Sequence, residues 1–74
     1  MAFMVMYTIY EKPKDHPLYF VLRGHEILES GGSRPLPTCV LAQTLEEARH
    51  HVPFGHCNIG REQGDDPCIV ETWV

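Results

Sequence analysis

The chain has 74 residues, a length that allows one domain. Its six Lys and Arg against ten Asp and Glu give a formal net charge of −4, and the basic residues are scattered, so neither nucleic acid nor an anionic membrane is an expected partner. Apolar residues make up 43% of the chain, enough to build a core, while no apolar run approaches the roughly 18 residues of a membrane span.

Three strands are predicted in the first part of the chain. Residues 3–10 (FMVMYTIY) are rich in β-branched and aromatic residues without a helical stripe, and both of their faces are largely apolar, which favours a central strand covered on both sides. Residues 18–22 (LYFVL) predict a second strand in an antiparallel hairpin with the first, and Gly24 marks a bulge or bend beyond which the strand could continue. Residues 29–37, with two glycines and two prolines, predict a flexible loop, and residues 38–42 a short buried strand.

The strongest local pattern in the sequence is a capped amphipathic helix. Thr44 has the chemistry of an N-cap, and Glu47 can reach back to the backbone N–H of Thr44, which completes a capping box. Leu45, Ala48 and Val52 share one face, and the proline that follows Val52 ends the helix. The pattern predicts a helix over residues 45–52 with one buried face.

The end of the chain predicts two further strands. Residues 56–59 form a short strand, residues 60–67 a polar loop with turn residues, and residues 68–74 (CIVETWV) a closing strand. The order β-β-β-α-β-β predicts the α+β class: residues 1–74 form a single small domain with a mainly antiparallel four- to five-stranded sheet and one amphipathic helix on one face. The strand order stays open at this point.

One helix cannot cover both faces of such a sheet, so one face is expected to be polar or to serve as an interface. Met4, Met6 and Tyr10 share one face of the first strand and are the candidate interface residues. They favour a homo-oligomer or a protein partner.

A cluster of metal-ligand residue types lies near the end of the helix: His50, His51, His56 and Cys57 fall within eight residues and suit a borderline-soft ion such as zinc. Adjacent helical residues point about 100° apart, which argues against one shared metal. The alternative is that His50 and His51 end the helix on its solvent face, where their partial positive charge suits the helix dipole.

The cysteines and the N-terminus predict the compartment. Cys39, Cys57 and Cys68 are an odd number with no C-x-x-C pair, and residues 2–6 lack the basic segment of a signal peptide. These features favour free thiols in a reducing cytoplasm, with each cysteine acting as a small buried hydrophobe.

No paired carboxylates, nucleophile elbow or Ser/His/Asp arrangement marks a catalytic site. We therefore expect a non-enzymatic binding or interaction module that self-associates through the open sheet face or an edge strand. The alternative is a transition-metal-binding protein that uses residues 50–57, with zinc as its cofactor.

The segments YTIYEKPKDHP, FVLR, TLEEAR and GDDPCIVETW together resemble a family of small bacterial proteins of uncharacterised function. The resemblance covers most of the chain. It implies a bacterial cytoplasmic protein, and it implies no activity, cofactor or ligand.

Overall fold

The computed structural model describes residues 2–61 and 67–74. Within these ranges the chain forms a five-stranded sheet in the order β3-β2-β1-β5-β4, in which every neighbouring pair is antiparallel, and one short helix. The elements are β1 (Ala2–Glu11), β2 (Phe20–Leu28), β3 (Ser33–Ala42), α1 (Leu45–His50), β4 (Asn58–Gly60) and β5 (Ile69–Trp73). The predicted α+β class, with one helix and up to five strands, is confirmed.

Strand β1 lies at the centre of the sheet, as its two apolar faces predicted. It forms a hairpin with β2, in which Glu11 lies opposite Phe20, and it pairs with β5 along its other edge. The second strand is longer than residues 18–22: it begins at Phe20 and runs past Gly24, whereas Leu18 is exposed in the β1–β2 connection. The predicted polar loop over residues 60–67 lies mostly outside the described residues.

Gly24 lies within β2 where the helix-bearing side of the sheet leaves little room for a side chain. A glycine at this position lets the strand continue without a steric clash. A Cβ atom on Gly24 would lie 2.8 Å from Cδ1 of Leu36 and 3.1 Å from Cε1 of Tyr7. The register of β2 against β3 shifts between Arg23 and His25, so the predicted irregularity at Gly24 is present as a bulge in the β2–β3 pairing.

The predicted flexible loop over residues 29–37 is wrong in its second half, because β3 begins at Ser33. The reversal is a tight turn in which the backbone N–H of Gly31 donates to the Leu28 carbonyl, and Gly31 adopts a φ of +93°. The two prolines that predicted a loop lie in β3, and an edge strand tolerates them because its outer N–H groups need no partner strand.

The predicted N-cap of the helix is confirmed, with a different partner for the Glu47 carboxylate. The backbone N–H of Glu47 donates to Oγ1 of Thr44 over 3.1 Å, but the Glu47 carboxylate accepts from the N–H of Gln43 rather than from Thr44. The helix ends at His50, two residues before Val52, with His51 as its C-cap. Ala48 is fully buried, as the apolar stripe predicted.

The core lies between α1 and one face of the sheet, which we call the helix face. Ile9, Leu22 and Ala42 are buried there against Ala48 of α1. The opposite side, which we call the far face, has one fully buried side chain at its centre, Val21. The far face is therefore partly covered by the chain itself.

The cover on the far face is the β1–β2 connection. Asp15 in this connection forms an ion pair with Arg23. Arg23 and the buried Val21 are two residues apart on β2, so they are neighbours on the far face. The far face thus has one end beneath this connection and one open end that carries Met4, Met6 and Ile27, each of them half-buried.

Candidate interaction surfaces

Strand β3 forms one outer edge of the sheet. It is ten residues long and pairs only with β2 among the strands in the described ranges. Alternate residues of an edge strand direct their N–H and C=O groups outward, where they can bind another strand. We call residues 38–42 (TCVLA) the β3 edge, because this part contains no charged residue and no proline.

Side chains along the β3 edge leave apolar surface open to solvent. Leu41 is 42% exposed and Cys39 is also exposed, and both lie on the far face of β3. Exposed apolar side chains on a long edge strand are a known association hazard that proteins remove with charge, proline or a bulge.

The first half of β3 and the opposite outer strand carry such protection. The first half of β3 contains Pro35 and Pro37, and Arg34 there donates to the Glu26 carboxylate over 3.0 Å. At the other outer edge β4 is only three residues long, so it offers few backbone groups to a partner. Of the two outer strands, β3 therefore offers the longer unprotected edge.

The three interface candidates share the far face of β1, as their alternation predicted. Met4 lies opposite Ile27 and Met6 opposite His25 at the open end, while Tyr10 lies near the covered end. The buried Thr8 lies between Met6 and Tyr10 in the same row. The three side chains are half-buried, and polar groups interrupt the apolar surface that they form.

The predicted metal-ligand residues do not come together as one group. His50 and His51 are exposed at the end of α1, in agreement with the solvent-facing alternative, and Cys57 is exposed ahead of β4. In residues 2–61 and 67–74, no group of three or more His, Cys, Asp or Glu side chains is arranged to hold a metal ion.

His56 is instead held against the sheet. Its ring packs edge-on against Tyr7 with the ring centroids 5.1 Å apart. Its Nε2 lies 3.2 Å from the Val5 carbonyl oxygen, and its Nδ1 lies 3.2 Å from the Pro53 carbonyl oxygen. These contacts anchor the connection between α1 and β4 to the sheet.

The expectation that each cysteine is a buried hydrophobe is wrong for two of the three. Cys39 and Cys57 are exposed, and Cys68 is half-buried; no disulfide links them. Cys39 is exposed because β3 proves to be an edge strand, and Cys57 is exposed because it precedes the short outer strand β4.

A partly buried ion pair connects α1 to the sheet, and the sequence pattern did not predict it. The Glu71 carboxylate on β5 accepts from Nε and Nη2 of Arg49 over 2.9 and 2.7 Å and from the indole N–H of Trp73 over 2.7 Å. The hydrogen bonds from Arg49, helped by the one from Trp73 and opposed by burial, lower the pKa of Glu71, and the same contact raises the pKa of Arg49. The network fixes the helix against the sheet and is a structural element.

The comparisons with known proteins give no relative: no family model, no curated protein and no solved structure matches the chain. The resemblance to a bacterial family therefore stays a prediction. No helix within the described ranges has both the length and the hydropathy of a membrane span.

Proposed function

We propose that the chain is a small non-enzymatic binding module that self-associates by antiparallel pairing of the β3 edge in two copies. The single observation that supports this proposal is the unpaired, uncharged β3 edge with its exposed Leu41. In the proposed dimer the two sheets join into one continuous sheet across a two-fold axis.

The partner is a second copy because the β3 edge is complementary to itself. A two-fold axis at a strand edge places the strand antiparallel to its own copy, which is the pairing used throughout this sheet. No charge on residues 38–42 would meet its own copy across the axis. Cys39 and Leu41 of each copy would lie on the same face beside those of the other, and their exposed apolar surface would be buried.

Sedimentation velocity from about 1 to 200 μM tests this proposal on the wild-type chain and two variants. Leu41→Lys places a charge on the β3 edge. In the dimer this charge would lie beside the same lysine of the second copy or beside the second copy's β3 edge. Ile59→Lys is the matched control, because Ile59 is also an exposed apolar residue, 52% exposed, on the opposite outer strand.

The wild-type chain and Ile59→Lys should form dimers with the same dissociation constant, and Leu41→Lys should weaken the dimer at least about tenfold. A monomeric wild-type chain over the whole concentration range would contradict self-association. A dimer that Ile59→Lys disrupts and Leu41→Lys leaves intact would contradict the β3 edge as its location.

A further inference from the structure

A groove of about 520 Å3 lies on the far face, between the sheet and the β1–β2 connection. Tyr10, Arg23 and His25 form its floor on β1 and β2, and Lys14 and Asp15 form its wall. Pockets of this size hold small organic molecules. No residue of the β3 edge lines the groove, although Arg23 on its floor lies opposite Cys39, so the two proposals rest on different residues.

The wall of the groove has a defined backbone conformation. The Lys12 N–H donates to the Tyr19 carbonyl over 2.9 Å, and the His16 N–H donates to the Pro13 carbonyl over 3.0 Å. Lys12 has a φ of +46°, a left-handed conformation that non-glycine residues rarely adopt and that recurs at functional positions. These contacts order the backbone on both sides of Lys14.

The ion pair between Asp15 and Arg23 joins the wall of the groove to its floor. The ion pair keeps the β1–β2 connection against the far face, and it also neutralises the negative charge of Asp15. With Lys14 and Arg23 against Asp15, the groove carries a formal charge of 2 − 1 = +1 with His25 neutral, while the chain carries −4. The groove therefore has the opposite sign to the molecule as a whole.

The groove lining supplies hydrogen-bond donors for an anion. The Lys14 ammonium is exposed and forms no ion pair with any residue in the described part of the chain. The Arg23 guanidinium has further N–H groups beyond those that contact Asp15, and a guanidinium and an ammonium group are the side chains that bind phosphate and carboxylate oxygens. The Tyr10 ring provides an apolar surface beside them.

We propose that this groove binds a small organic molecule that carries an oxyanion, either a phosphate or a carboxylate. Lys14 and Arg23 contact the oxyanion, and Tyr10 contacts the organic part of the ligand. No covalent step takes part, so the groove is a binding site.

NMR titration of the 15N-labelled chain tests the site with two probes, inorganic phosphate and acetate, each at constant ionic strength set with chloride. Lys14→Gln removes the charge at the groove. Lys12→Gln is the matched control, because it removes the same charge from the same connection, and Lys12 does not line the groove.

We expect at least one of the two anions to give saturable shifts at the amides of the groove residues. Lys14→Gln should weaken that binding at least about tenfold, and Lys12→Gln should change it less than about twofold. A response to phosphate alone or to acetate alone identifies the oxyanion. Shifts that grow linearly without saturation, or wild-type affinity in Lys14→Gln, would overturn the proposal.

Discussion

Replacement of Glu71 with Gln tests how far one buried carboxylate holds the helix to the sheet. Glutamine keeps the size of the side chain and removes its charge, and its NH2 group would face the donors of Arg49 or the indole N–H of Trp73. The variant therefore replaces an attractive contact with an opposition of donors while the cavity stays filled.

The geometry gives the size of the effect. The Glu71 side chain is 5% exposed and accepts three hydrogen bonds of 2.7–2.9 Å from Arg49 and Trp73. Hydrogen bonds to a charged group contribute about 1.5–3 kcal/mol each, and breaking a buried ion pair costs about 3–5 kcal/mol. Because the Arg49 side chain is 43% exposed, water replaces part of the loss. We expect Glu71→Gln to lower the free energy of unfolding by about 2–3 kcal/mol.

Urea unfolding measures this free energy, with Trp73 fluorescence and far-UV circular dichroism as the two signals. Trp73 is the single tryptophan of the chain, so its emission reports the Glu71 environment directly. Glu26→Gln is the matched control, because the Glu26–Arg34 ion pair is cross-strand and more exposed, and surface ion pairs contribute less than about 1 kcal/mol. Equal losses in the two variants would refute the reasoning.

The pH dependence of stability should separate the wild-type chain from Glu71→Gln. The pKa of Glu71 is lowered in the folded state, so the unfolded chain binds more protons as the pH falls. The stabilisation is complete above the ordinary carboxyl pKa of about 4.3 and is lost as the pH falls through the folded value. The wild-type chain should therefore lose more stability than Glu71→Gln on acidification below about pH 4.

Four further variants test the fold and the dimer. Gly24→Ala should destabilise the chain by about 1 kcal/mol in urea unfolding, because its Cβ would lie 2.8 Å from Leu36 Cδ1, the end of a flexible side chain, and 3.1 Å from the Tyr7 ring; an unchanged midpoint would contradict these contacts. Thr44→Ala should cost about 1 kcal/mol through loss of the N-cap hydrogen bond, and Thr44→Ser should restore most of it. In Cys57→Ser, a short bis-maleimide should crosslink two copies through the exposed Cys39. A two-fold axis at Cys39 or Val40 places the two Cys39 side chains either directly opposite each other or as a diagonal pair, about 7–8 Å apart at most. If the chain sediments as a dimer and is still not crosslinked, the axis lies elsewhere.

The features predicted correctly from the sequence are those that depend on near neighbours in the chain. Thr44 and Glu47 are three residues apart, so the hydrogen bond from the Glu47 N–H to the Thr44 hydroxyl could be predicted, whereas the acceptance of the Gln43 N–H by the Glu47 carboxylate could not. The spacing of Leu45 and Ala48 fixes the buried face of α1. The central position of β1 followed from its two apolar faces, because such a strand needs cover on both sides.

The features that sequence reasoning missed depend on strand order. Glu71 and Arg49 are 22 residues apart, and only the placement of β5 beside β1 brings them together. The prolines at positions 35 and 37 predicted a loop because their effect depends on whether a strand lies at an edge, which the sequence does not state. The exposure of Cys39 has the same cause.

Amide hydrogen exchange measured at several protein concentrations tests the central claim, self-association through the β3 edge, most directly. The outward-facing amides of residues 38–42 have no partner strand in the monomer, so a dimer should protect them and protection should rise with concentration. The amides of Asn58–Gly60 in β4 should exchange at the same rate at every concentration. Exchange at the β3 edge that does not depend on concentration, or protection that appears at β4 instead, would contradict the account.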